Sequence, residues 1–410
     1  MCLYNTGMFL YEKAVGIAAL RNPKARLWKE GRRGIFERLA KSITPGERII
    51  WIHSASLGEF EQGRPIIERL KEQRPDIKIL LTFFSPSGYE IRKNYPGADY
   101  IFYLPIDRSR YARRFLDIVK PEAAIFIKYE FWLNYLSELR KRNIPTYVVS
   151  AIFRRDSVFF RAWGGAWRKA LGTFTTLFVQ NDESKQLLKE LGRENVVVAG
   201  DTRFDRVAAI AKAAKKIELI ERFRGNKPLF VAGSTWGPDE ELLLKLINDN
   251  PKIRFVIAPH EMDEARIAHI IATTKGGAVR YTESTAESDF SNTQVLILDT
   301  VGILSSVYGY ARWSYIGGGF GVGIHNTLEA ATFGLPIAFG PKYHKFKEAR
   351  DMVALGAACS ITSAEELKAW FEPLRDNTTL LAETSGKAKA YTESNLGATE
   401  LITSEVLKRF

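Results

Sequence analysis

Only two cysteines, Cys2 and Cys359, occur in 410 residues, and they lie far apart. They offer neither a disulfide framework nor a metal-ligand spacing, so a reducing, cytosolic setting is expected. Histidine is also sparse. The five, His53, His260, His269, His325 and His344, form no HExxH-like pair, which argues against a metal site built on them. No GxSxG elbow occurs, and neither cysteine has a nucleophile's setting, so covalent hydrolase chemistry is not expected. No apolar run reaches the ~18–20 residues that a spanning helix needs. The stretch MFLYEKAVGIAAL is interrupted by Glu12 and Lys13 and lacks the order of a signal peptide. Short-period repeats and low-complexity tracts are missing, which argues against a solenoid.

What is present is ordinary in bulk and uneven in detail. An apolar share of 46% with 26% charged residues suits a folded globular chain, and the length favours two domains. The formal net charge is +12, with Arg21, Lys24, Arg26, Lys29, Arg32 and Arg33 crowded against only Glu30. Such an excess attracts polyanions, whether nucleic acid, anionic lipid or phosphorylated substrates. No nucleic-acid-binding motif accompanies it. Apolar residues followed by a basic cluster suit a helix lying on an anionic membrane surface, the alternative being a helix packed on its own domain.

Short apolar runs alternate with helical patterns. In the first half the runs are 48–55, 77–85, 100–105, 123–130, 145–153, 176–182 and 196–202; in the second, 228–235, 253–260, 294–300, 313–319 and 336–341. Continuous rather than alternating apolar runs imply strands covered on both faces, as in parallel sheets. The expected fold class is α/β: two Rossmann-like, doubly wound domains facing a central cleft, with the boundary within 203–227.

Ligands of such sheets bind beyond the carboxyl ends of strands. Polar residues there include Glu59 in HSASLGE, Glu130 in IKYEFWLN, Arg203 in GDTRFD, His260, and the segment from Asp299 to Gly302. Glu59 is positioned either to cap the next helix or to act as a general base. Glu130 stands beside Phe131 and Trp132, and Lys128 two positions earlier is expected to point the same way, which would allow an ion pair. The loop GGGFGVGIHNTLE matches neither a dinucleotide fingerprint nor a P-loop. It does offer flexible backbone around Gly318 and Gly319, then Asn326 or Thr327 as a helix cap with Glu329 in the first turn. Open N–H groups there would suit a phosphate, while Glu329 would either receive a sugar's hydroxyls or cap its own helix.

Together HSASLGE, TFFSPSGYE, YLPID, EFWLN, GDTRFD, AGSTWGPDEE, APHE, LDTVGIL and GGGFGVGIHNTLEAATFGLPIAFGP resemble the Kdo transferases (3-deoxy-D-manno-octulosonic acid transferases) of lipopolysaccharide assembly, over nearly the whole chain. The resemblance implies a GT-B fold: a membrane-surface anchor over 1–35, an acceptor-binding domain over 36–215 and a CMP-sugar-binding domain over 216–410, with a last helix crossing back. It implies an inverting transfer of Kdo from CMP-Kdo to a lipid A precursor at the cytoplasmic face of the bacterial inner membrane, with peripheral or monotopic attachment. It makes Glu59 the base, Glu130 a second essential carboxylate, and Arg203, where family members often carry Lys, a cation for the Kdo carboxylate or the leaving phosphate. Pro259, His260, Val301, Gly302, Ile303, Asn326, Thr327, Leu328 and Glu329 match its nucleotide-contacting segments. No cofactor or metal is expected, because one phosphate met by backbone N–H groups suffices. One departure is that Lys128 stands where many members carry a carboxylate. Rival readings are another GT-B enzyme using a different nucleotide sugar, and a non-catalytic polyanion binder.

Overall fold

The computed structural model describes residues 2–214, 216–285 and 287–410. The twelve apolar runs become strands, and the central ones lie with both faces buried. In the first half these are β1 (Ile49–Ser54), β2 (Lys78–Phe83), β3 (Tyr100–Tyr103), β4 (Ala123–Ile127), β5 (Thr146–Ala151), β6 (Thr176–Val179) and β7 (Val196–Val198). They pair in parallel in the order β3-β2-β1-β4-β5-β6-β7. The second half holds β8 (Leu229–Thr235), β9 (Arg254–Pro259), β10 (Ala278–Arg280), β11 (Val295–Ile297), β12 (Trp313–Ile316), β13 (Ile337–Phe339) and β14 (Ala358–Ser360). Their order is β10-β11-β9-β8-β12-β13-β14, again parallel. β10 and β14 are additions to the expected set. Both are three-residue edge strands, too short to leave an apolar run in the sequence.

Helices cover each sheet on both sides, and each unit has its own pair of buried clusters. One compact unit contains the residues up to Asp205 together with Leu396–Phe410; the other is Arg206–Asn395. The division thus falls at the start of the segment 203–227, not at 215/216. Within the first unit the helix Ala398–Leu407 packs on the helix after β1, inserting Ile402 and Val406 beside Ile66 and Ile67. Asp205 fixes its start by accepting the backbone N–H groups of Gly397 and Thr399, each at 2.7 Å.

Three helices precede β1. These are α1 (Cys2–Ala18), α2 (Pro23–Gly31) and α3 (Ile35–Ser42). α1 is anchored by its first turn. Tyr4 Oη donates to buried Asp107 (2.7 Å), which also accepts from the backbone N–H groups of Asn134 and Tyr135. Its opposite side leaves Leu3, Leu10 and Ile17 exposed. Among the described residues no helix is long and apolar enough to cross a membrane.

Candidate functional site

The strand order puts the candidate loops at the two places where the order of connection along the sheet reverses. In the first sheet these are the loops after β1 and β4; in the second, after β8 and β12. Strain collects there. Lys128, Ser150 and Ser234, none of them glycine, hold φ of 68°, 53° and 54° at the carboxyl ends of β4, β5 and β8.

After β1 the chain turns at Ser56 into α4 (Leu57–Gln73). Glu59 closes a capping box there. Its Oε2 accepts from the Ser56 N–H (2.8 Å) and the Ser56 hydroxyl (2.6 Å). Oε1 has no hydrogen-bond partner among the described residues. Glu59 is half-buried and therefore both caps the helix and presents one oxygen outward. One turn further on, Gln62 Nε2 reaches both oxygens of buried Asp201 (3.2 and 3.1 Å), which holds the Arg203 guanidinium through Nε at 2.9 Å. α4 therefore joins the Glu59 segment to Arg203, although nothing in the sequence paired Asp201 with Gln62.

Glu130 belongs to a buried polar chain that the sequence did not reveal. His53, on β1 and fully buried, places Nε2 3.3 Å from Glu130 Oε2. Trp132 Nε1 donates to that same oxygen (2.7 Å) and lies 3.1 Å from His53 Nε2. On the other side of the ring, His53 Nδ1 is 2.9 Å from Thr82 Oγ1, which accepts the indole N–H of Trp51. The expected Lys128–Glu130 ion pair does not form. Lys128 lies past the end of β4 in a left-handed conformation, which breaks the strand alternation, and its ammonium lies over the Tyr129 ring instead.

The second unit gathers its residues around buried Asp239. That carboxylate accepts from Trp236 N–H and Gly318 N–H (both 2.9 Å) and from Tyr315 Oη (2.7 Å), tying the loop after β8 to the glycine loop. Burial raises the pKa of Asp239, while those donors act in the opposite direction. The close approach needs glycine. A Cβ at Gly317 would stand 2.2 Å from the Ser234 carbonyl oxygen, and Gly318 has φ +93°.

The expectation of open amides is corrected for most of this loop. The N–H groups of Gly317, Gly318, Gly321 and Gly323 are all engaged internally, whereas that of Gly319 makes no backbone bond. Nor is there a long helix behind it. The helix after Thr327 is a single turn, Leu328–Ala331, so the expected dipole is small. Glu329 accepts from Asn326 Nδ2 (2.9 Å) and Ser305 Oγ (2.6 Å), which draws the Val301–Gly302–Ile303 loop and the Asn326–Thr327–Leu328 turn together. Buried Thr327 Oγ1 has no partner among the described residues.

Beside Pro259, His260 is exposed and stacks on His325 with centroids 4.2 Å apart, and Trp236 completes the tier. Trp236 Nε1 donates to His325 Nε2 at 3.1 Å, which leaves Nδ1 as the protonated nitrogen of a neutral ring. Burial and the neighbouring His260 pull His325 down to about 4. Its folded pKa is below the unfolded value, so the unfolded chain binds the extra proton first. Stability is therefore lost as pH falls from about 6.5 towards 4. His325→Gln is expected to lose less of its melting temperature than wild type across that interval; equal losses would contradict this.

Two doubly wound parallel sheets with loops gathered at their switch points define the GT-B fold class. Solved structures agree on the fold. A UDP-GlcNAc 2-epimerase from Neisseria meningitidis matches with TM-score 0.59 at 13% identity, covering 88% of this chain and 100% of that one. MurG from Acinetobacter baumannii matches with TM-score 0.54 at 15% identity, covering 88% and 99%.

The particular likeness is to Kdo transferases, and the resemblance read from the motifs is borne out. Residues 30–206 match the family described as 3-deoxy-D-manno-octulosonic-acid transferase (kdotransferase). The 3-deoxy-D-manno-octulosonic acid transferase of Rickettsia bellii is 29% identical over 380 residues, 90% of this chain and 88% of its own length. That of Haemophilus influenzae is 26% identical over 344 residues, 82% and 79%.

Proposed function

We propose that this chain transfers Kdo from CMP-Kdo to a lipid A precursor, with inversion at the anomeric carbon. The observation that carries the reading is Glu59. It is fixed at one oxygen by the capping box and open at the other, at a switch point in a chain similar to Kdo transferases over most of its length. In the proposed step, Oε1 of Glu59 takes the proton of the acceptor hydroxyl as its oxygen forms a bond to the anomeric carbon. The bond from that carbon to the phosphate oxygen breaks, and its electron pair leaves with CMP. Arg203, held as a fork by Asp201, meets the Kdo carboxylate or the departing phosphate. The Thr327 hydroxyl, the Gly319 amide and the His260–His325 tier serve the nucleotide. Glu130 faces the acceptor.

The test is mass spectrometry of a tetraacylated lipid A precursor incubated with CMP-Kdo and the purified chain. A mass gain of one or more Kdo units is expected. No gain despite clear CMP binding would overturn the reaction and leave the fold standing. For the nucleotide, CMP is expected to raise the melting temperature where UMP, UDP and GDP at equal concentration do not; a larger shift with UDP would favour another sugar donor.

The acceptor and the inner-membrane surface are part of the same proposal. Lys13, Arg26, Lys29 and Arg33 line a groove of about 1060 Å³ along α1 and α2, whose apolar wall includes Ile17 and Leu20. Arg32 does not act with them. Its guanidinium donates to the carbonyls of Leu104, Phe84 and Trp28 and lies 3.9 Å from the centre of the Trp28 ring, so it staples α2 to the first sheet. Near an anionic surface each cation contributes about 1 kcal/mol. Reversing Arg26, Lys29 and Arg33 to Glu is therefore expected to weaken binding to anionic liposomes by at least about 100-fold. Unchanged co-sedimentation would sink the surface reading.

A further inference from the structure

A cavity of about 490 Å³ opens beside Glu130, and no step of the transfer uses it. Tyr4 and Met8 of α1 form one wall, Val158 and Trp167 another, and the segment from Tyr129 to Trp132 the floor. Glu130 is the only charged residue among those lining it. We propose that this cavity is a slot for one acyl chain of the acceptor. The inference rests on the reading above only in taking the acceptor to be an acylated sugar.

The chemistry of the walls selects the occupant. A phosphate needs cations or free donors, and the single charge here is a carboxylate that would repel it. A sugar ring needs several polar partners, but those present are mostly engaged elsewhere. Tyr4 Oη donates to Asp107, the Trp132 indole N–H to Glu130, and Ser157 Oγ to the Arg154 carbonyl. What remains is aromatic and aliphatic surface, in which Tyr4 meets Trp167 edge to face at 6.2 Å. Its size falls within the range of sites that enclose small apolar ligands, about 300–1,000 Å³.

Placement selects the source of the chain. α1 lends Tyr4 and Met8 to the cavity and exposes Leu3, Leu10 and Ile17, so one helix offers apolar surface both to the slot and to a lipid surface. At its inner end lies Glu130, where the sugar carrying the chain would stand. An occupied slot would cover the His53–Glu130–Trp132 cluster and set the sugar by its tail. The cavity is therefore a specificity element: it counts the acceptor's chain as part of the substrate.

Binding tests this independently of transfer. The full chain is titrated with N-acyl glucosaminides of increasing chain length, kept below their micelle concentrations, and read by calorimetry. Affinity is expected to rise by about fourfold per methylene, the equivalent of about 0.8 kcal/mol, until the slot is filled, and then to level off. Val158→Trp, which fills the slot, should bring the plateau to shorter chains, while Val158→Ala should leave it at the wild-type length or beyond. Both variants are checked for an unchanged melting temperature. Affinity independent of chain length, or the same length response in Val158→Trp, would overturn the slot. An equal response to alkyl glycerols, which lack the sugar, would overturn its assignment to the acceptor and give it to bulk lipid. A chain-length response without Kdo transfer would instead refute the reaction and leave the slot intact.

Discussion

Glu59→Gln is expected to fold, to bind CMP as wild type does, and to lose transfer by about 10²–10⁴-fold, the usual contribution of a general base. The geometry makes this substitution selective. The glutamine carbonyl oxygen can still accept the Ser56 N–H and hydroxyl, so the capping box of α4 survives and the melting temperature should hardly move. What the variant lacks is an oxygen able to take a proton. Removal of a cap costs about 1 kcal/mol of stability, whereas Ser56→Ala still leaves Glu59 a carboxylate. The two roles thus separate in one experiment: kcat and the melting temperature are measured together for Glu59→Gln and for Ser56→Ala. Loss of turnover in the first, with only modest destabilisation in the second, identifies the base. Near-normal turnover in Glu59→Gln would return Glu59 to capping alone.

Glu59 shows what the sequence could and could not disclose. A carboxylate three residues past a serine, at the start of a helix, reads as a cap or as a base, and the structure engages one oxygen in the cap while the other has no described partner. The strands were legible because burial on both faces writes itself as unbroken apolar runs, such as Ile49–Ser54. Their order was not. Nothing local says that β4 pairs with β1 or β12 with β8, and those pairings turn four separate loops into two sites.

Lys128 misled for a related reason. Strand alternation holds only inside a strand, and β4 ends one residue earlier. The glycine loop misled differently: its composition announces close backbone approach, but Asp239, 79 positions from Gly318, decides where an amide points. Arg32 looked like one cation among six because charge is visible in a sequence and three carbonyl partners are not.

His53→Leu is expected to lower kcat by about 10–100-fold while leaving the affinity for CMP unchanged. His53 is the only described side chain that links Glu130 to the interior of the first sheet, through Thr82 and Trp51. Its Nε2 and Glu130 Oε2 lie 3.3 Å apart, buried. Leucine fits the apolar surroundings of Phe126 and Trp51, so the strand should survive, but it removes the polar contact to Glu130. A hydrogen bond to a charged group is worth about 1.5–3 kcal/mol, which as a rate is the range stated. His53→Gln separates positioning from packing, because its carboxamide N–H reaches towards the place of Nε2 and can donate to Glu130. Recovery of part of the lost kcat by glutamine, with no change in the KM for CMP-Kdo, would establish His53 as the residue that positions Glu130. Equal kcat in wild type and His53→Leu would show that Trp132 alone, through its 2.7 Å bond, holds the carboxylate in place.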